Sequence, residues 1–233
     1  MKKLFIIAAM AVAGITTANA QEFKVGAKAG FLMSNVSVDS SSDIEAGKLI
    51  TSKLNTAFRP GFHFGAFIEY GFNEKIWVEA GVDYAFQGAN LKSVEATVIN
   101  VSDGSLITSN KANIKNGWLK TQQFNIPLWV KYDISGFRPK VGVNLGFLSK
   151  VKTNSEIEGG PAVENKSLTP NKKFDFGLGF GAEYNLPMGL FFDATFNLGL
   201  TKLSTKEKND DGTYSEGGKF KNRVIQIGVG YKF

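Results

Sequence analysis

The sequence predicts an all-β fold: an eight-stranded antiparallel up-and-down transmembrane β-barrel, preceded by a cleaved signal peptide. Three observations carry that expectation. Eight segments alternate apolar with small or polar residues at period two, as strands with two unlike faces do. Short turns and long polar segments separate them in strict alternation. The apolar face is bulky and free of ionisable groups, whereas the other is thin and carries both signs of charge.

Met1–Ala20 reads as a secretory signal peptide and residues 21–233 as one barrel domain. Lys2 and Lys3 are followed by Leu4–Ile15, an apolar run too short to span a bilayer as a helix. Ala18-Asn19-Ala20 is a small-x-small cleavage site before Gln21. The first strand aligns Phe23, Val25, Ala27, Ala29, Phe31 and Met33. Residues 35–58 are rich in Ser, Asp and Lys and read as a loop. The second strand aligns Phe62, Phe64, Ala66, Ile68 and Tyr70, and a short turn leads to the third, with Ile76, Val78, Ala80, Val82, Tyr84 and Phe86. Residues 88–117 read as a second loop.

The fourth strand aligns Phe124, Ile126, Leu128, Val130 and Tyr132. Pro127 lies inside it, and proline removes a ladder donor, so a bulge or local break is expected there. The fifth aligns Val141, Val143, Leu145 and Phe147, after which residues 150–172, with Pro161 and Pro170, read as a loop. The sixth aligns Phe174, Phe176, Leu178, Phe180, Ala182 and Tyr184; the seventh, Leu190, Phe192, Ala194, Phe196, Leu198 and Leu200. Residues 201–222 are charged and polar. The closing strand aligns Ile225, Ile227, Val229, Tyr231 and Phe233. An even strand number puts the short turns and both termini on one side, as in outer-membrane barrels. Strands of roughly 10–13 residues suit a tilted bilayer crossing, which needs about 9–11.

Volume decides which face looks outward. The interior of an eight-stranded barrel is just wide enough to be filled by side chains. The apolar set, drawn from a chain with 20 Phe, cannot fit there, whereas the glycine-rich face can. The inward face carries Lys24, Lys28, Arg59, Lys131, Lys140 and Lys232 against Glu69, Glu79, Asp83, Asp175, Glu183 and Asp193. Equal numbers of each sign predict a salt-bridged lumen, because unpaired buried charge is costly. Phe67, Trp77, Trp129 and Phe191 point inward near the turn side and help block the bore. Tyr70, Tyr132, Tyr184, Phe192, Tyr231 and Phe233 form a turn-side aromatic girdle on the lipid face.

Chemistry is sparse. With no Cys, the chain has no disulfide, thiolate metal site, thiol nucleophile or lipid-modified cysteine. Of 27 basic residues, Lys2 and Lys3 leave with the signal peptide, so the mature chain has 25 against 21 acidic, a charge of +4. No basic patch interleaved with aromatics suggests nucleic acid. His63, the sole histidine, faces inward and reads as a bonded lumen residue, without a fixed Ser–His–Asp arrangement. Gly177-Leu-Gly-Phe-Gly181 sits in an alternating strand with no helix after it, so a nucleotide site is not expected. Glu207–Gly212 lacks the closing glutamate of a calcium loop. No catalytic residue, cofactor or metal is expected.

Several segments resemble the PorT-type outer-membrane β-barrel family, related in architecture to small OmpX- and OmpA-like barrels. They are Phe58–Gly65, Tyr84–Gly88, Asn125-Ile-Pro-Leu-Trp-Val-Lys-Tyr132, Phe174–Gly181, Leu198–Thr201 and Gly228–Phe233. The resemblance implies that Pro127 is a family feature. It also implies recognition of the closing strand, Ile225 to Phe233, by the barrel-assembly machinery. The expected place is the bacterial outer membrane, reached by Sec export, with membrane lipid as neighbour. The expected role is structural or interactive through the surface loops. The alternatives are a narrow pore, an accessory to protein secretion, and a lipid-modifying enzyme.

Overall fold

The computed structural model describes residues 22–158, 162–208 and 212–233. The expected cleavage site, Ala20–Gln21, lies outside the described residues. Twelve strands follow in order: β1 Glu22–Val38, β2 Ser41–Glu45, β3 Lys48–Ala57, β4 Arg59–Gly71, β5 Ile76–Asn100, β6 Leu106–Tyr132, β7 Phe137–Ile157, β8 Ala162–Lys172, β9 Phe174–Asn185, β10 Leu190–Gly199, β11 Leu203–Lys208 and β12 Tyr214–Lys232. β1, β4, β5, β6, β7, β9, β10 and β12 pair antiparallel in that order, and β12 returns to β1.

The described residues of the four long polar segments are mostly strand, which corrects the expectation of loops. β5 runs on to Asn100 and β6 starts at Leu106. β3 continues β4 along the same neighbour β5; β8 continues β9 along β7; β11 continues β10 along β12. The barrel is therefore eight long staves, some made of two strands end to end. At about 3.3 Å per residue, β5 extends roughly 45 Å past Phe86. The physical reason is solvent. Past the bilayer the outer face meets water, so alternation no longer contrasts grease with polarity.

The outward face is apolar as expected. Phe64 is 50%, Val82 47%, Phe180 50% and Ile227 65% exposed, each away from the bore. Tyr132, Tyr184, Phe192, Tyr231 and Phe233 are exposed at the turn side. A second aromatic belt marks the other edge: Phe62 stacks on Phe86 at 4.2 Å, Tyr84 meets Phe124 at 6.4 Å and Phe147 meets Phe174 at 5.5 Å. Phe124 to Tyr132 covers roughly 26 Å along the strand, in keeping with the about 9–11 residues that a tilted bilayer crossing takes.

Pro127 breaks the ladder without a bulge. On the β5 side, pairing stops after Ala80↔Leu128 and resumes at Asp83↔Asn125 in unchanged register. On the β7 side Pro127 stays paired with Asn144. The turn at Ser135 (φ 54°) and Gly136 (φ 92°) has both central residues left-handed, the form that matches hairpin twist.

Candidate functional site in the barrel interior

Inward side chains fill the bore in layers. Nearest the turns, Lys131 of β6 is fully buried among three glutamates. Its Nζ lies 2.5 Å from Glu79 Oε2, 2.6 Å from Glu183 Oε2 and 2.9 Å from Glu69 Oε1. An ammonium has three donors, and each finds a carboxylate. Oxygens of these glutamates lie within 4.8 Å of one another, a spacing that suits a cation, and the Lys131 ammonium takes that place.

The cluster continues outward from Lys131. Lys232 Nζ reaches Glu183 at 2.5 Å and Glu69 at 3.0 Å. Arg138 donates to Glu69 at 3.2 Å and to Asp133 at 2.5 Å. Lys28 pairs with Glu79 at 3.0 Å, and Lys140 pairs with Asp193. Five cations meet five carboxylates, so the cluster is neutral. Each cation also lies over an aromatic face: Arg138 over Trp77 at 4.2 Å, Lys232 over Phe191 and Lys140 over Trp129 at 4.8 Å, Lys28 over Phe67 at 5.6 Å and Lys131 over Phe67 at 5.7 Å. The thin face makes room for these rings. A Cβ at Gly26, Gly179 or Gly230 would fall 2.3 Å from Phe67, Trp129 or Phe191 respectively.

Along the wall the charges sit beside their own kind. Glu69 is directly opposite Glu79, Glu183 opposite Asp193, and Lys131 opposite Lys140. Such neighbours repel. Lys131 is bonded to glutamates of β4, β5 and β9, so its partners reach in from several parts of the wall.

Four of the twelve expected network residues stand apart, which corrects the expected set. Lys24 pairs with exposed Glu22 and lies over Trp77. Arg59 donates to Asn90 and lies over Trp118. Asp83 accepts from His63 Nδ1 at 2.8 Å. Asp175 accepts from Gln123 and Asn222. Arg138 and Asp133 are members the sequence reading missed, because they sit at and beside a turn, where alternation carries no signal.

Above the cluster lies a polar layer containing His63, Asp83, Asn125, Asn144 and Gln226; a void there of about 20 Å³ is no wider than one water needs. Higher still, apolar side chains share the bore with buried polar ones such as Gln123 and Asn222. Leu32, Ala85 and Val224 pack together, and above them Val36, Ala89, Leu148, Val151, Leu203 and Phe220 form a second cluster. The sequence reading placed no apolar plug here.

Asp133 lies outside the membrane-spanning strands. Partial burial works to raise its carboxyl, but the Gly136 N–H and Arg138 outweigh it and hold the group below its ordinary value. A depressed folded-state value gives stability above the unfolded-state value, lost as pH falls through the folded one. Asp133→Asn is expected to cost about 1 kcal/mol at pH 7. The gap from the native chain should shrink as urea unfolding is repeated toward acid pH.

The outer membrane protein β-barrel domain model matches residues 5–233. No curated protein matches the chain. Among solved structures, the Neisserial surface protein A is 15% identical with a TM-score of 0.42, over 92% of this chain and 100% of that one. OprG from Pseudomonas aeruginosa is 16% identical with a TM-score of 0.44, over 92% and 97%. A major outer membrane protein from Thermus thermophilus is 16% identical with a TM-score of 0.49, over 92% and 100%.

Proposed function

Because the chain belongs to the outer membrane protein β-barrel domain family, and so is a barrel of the bacterial outer membrane, we propose that it is a non-conducting membrane anchor with a structural or interaction role. It carries a β-sheet extension out to the cell surface. One observation carries this reading: the bore is filled at two heights, by the Lys131 ion-pair cluster and by the Leu203–Phe220 apolar cluster. Reconstitution in planar bilayers is expected to give no steady conductance steps. Reproducible steps would replace this reading with that of a narrow pore.

The Asn125–Tyr132 and Phe174–Gly181 segments favour the PorT-type branch, and with it an accessory role in secretion as the second reading. Deleting the protein and comparing the secreted proteins tests that. We assign no catalytic role. His63 is 2% exposed and its Nδ1 is engaged by Asp83, and His63→Ala should leave lipid A unchanged. The outward band meets membrane lipid. The closing strand, Ile225 to Phe233, is the segment the assembly machinery would read during insertion.

A further inference from the structure

Just past the outer aromatic belt, the wall carries cations that the protein does not neutralise. The belt marks the membrane edge. Tyr84 lies between Phe86 and Phe124 and turns its hydroxyl to Gln122 at 2.9 Å, an apolar body with a polar tip. Lys150 stands directly opposite Gln122, and two residue pairs further out Lys120 stands directly opposite Lys152. All three lysines are exposed. Arg59 joins them, because the Trp118 ring lies 4.1 Å from Lys120 Nζ and 5.8 Å from the Arg59 guanidinium. None of the four cations has a carboxylate partner among the described residues.

The sequence keeps acids away from this level. No Asp or Glu occurs from Tyr84 to Val94, from Gly104 to Tyr132 or from Ile134 to Ser155. Further out the pattern changes. Lys111 pairs with Glu95 at 3.3 Å, and Lys115 pairs with Glu158 at 3.3 Å and faces Glu156 across the ladder. The same part of the wall thus matches its lysines with acids in open water and leaves them bare beside the membrane. Lys120 is four residues beyond Phe124, roughly 13 Å along a tilted strand. A lysine stem that bends back toward the apolar edge brings its ammonium to the level of lipid headgroups. Directly opposed lysines repel, so the site favours an anion lying between them. There is room for one: Gly88 faces Lys120 on one side, and Ser167 faces Lys152 on the other.

We propose that Arg59, Lys120, Lys150 and Lys152 bind the phosphate groups of an outer-leaflet glycolipid of the lipid A type, whose acyl chains lie along exposed Phe124 and Phe147. The ammonium groups neutralise the phosphates, so no bridging divalent cation is needed at this spot. The inference uses the outer-membrane placement and is independent of whether the bore conducts.

The test uses the full mature chain in phosphatidylcholine nanodiscs titrated with bisphosphorylated lipid A, with bound lipid counted by native mass spectrometry. Saturable retention is expected with or without EDTA. Lys120→Gln with Lys150→Gln and Lys152→Gln should weaken it by at least about tenfold, while the urea midpoint holds, because all three side chains are exposed. Arginine at the same three positions should preserve binding. Lys111→Gln with Lys115→Gln, further out and already paired, should change it by less than about twofold. Lipid A stripped of both phosphates should not be retained. Four results would overturn the proposal: equal retention of the stripped lipid, displacement by an equal amount of phosphatidylglycerol, displacement by inorganic phosphate, or an equal loss in the Lys111 and Lys115 variant. Conductance of the same preparation is read separately. A barrel that retains lipid A and conducts sinks the closed-bore reading alone; a silent barrel that retains none sinks this proposal alone.

Discussion

Replacing Lys131 by methionine should destabilise the barrel by about 3–5 kcal/mol, the usual consequence of removing one partner from a buried ionic cluster. The side chain is fully buried, and no apolar group can replace its ammonium: three glutamates lie within 2.9 Å of Nζ. Without the ammonium, Glu69 and Glu79 face each other directly across β4 and β5. The loss should appear as a lower urea midpoint in lipid vesicles and a lower temperature for the change in gel mobility. A second substitution separates lost charge balance from lost packing. In K131M/E69Q, Lys28 keeps Glu79, Lys140 keeps Asp193, Arg138 keeps Asp133 and Lys232 keeps Glu183. The double variant should therefore lose less than the sum of the two single losses, by at least about 1 kcal/mol. Strict additivity would mean that the cluster does not act as a unit.

The same cluster shows how far alternation can be read. Period two assigns each side chain to a face, and the charges fall on the inward face, opposite the greasy one. It cannot say which staves meet across a bore. The sequence therefore offers Lys131 and Glu183 as members of one set, while their contact depends on closure. Since wall neighbours such as Glu69 and Glu79 repel, an open ladder carries a penalty that ring closure removes. We expect closure and pairing to be one cooperative event. Asp83 and Asp175 fall outside the ion-pair cluster for a related reason: the lumen also holds His63, Gln123 and Asn222, and amides satisfy carboxylates as cations do. The surface extension is illegible from another cause. Segments such as Val94–Asn100 and Leu106–Asn110 contain β-branched residues, but with water outside they lack the long, bulky aromatic face that marks the membrane strands. The inward signal is nonetheless present in Val36, Leu148 and Phe220, which continue the inward parity of β1, β7 and β12.

That inward parity has an energetic consequence at Phe220. The ring is 5% exposed and packs with Val36, Ala89, Leu148, Val151 and Leu203 above the membrane. It also stands at Val38↔Phe220, the last residue pair between β1 and β12 before the wall divides. Phe220→Ala should cost about 3–5 kcal/mol, from lost burial and the cavity left behind. The location of the damage distinguishes it from the Lys131 variant. The aromatic belts and the ion-pair cluster lie on the membrane side of this plug, with their own ladder intact, so the extension should open as a separate unit. On intact cells, protease should cut the extension of Phe220→Ala while the heat-modifiable membrane core survives at its native midpoint. Lys131→Met should instead lower that midpoint without selective nicking of the extension. If Phe220→Ala lowers both together, plug and membrane barrel form a single cooperative unit, and the extension is as much a part of the barrel's stability as the strands that cross the bilayer.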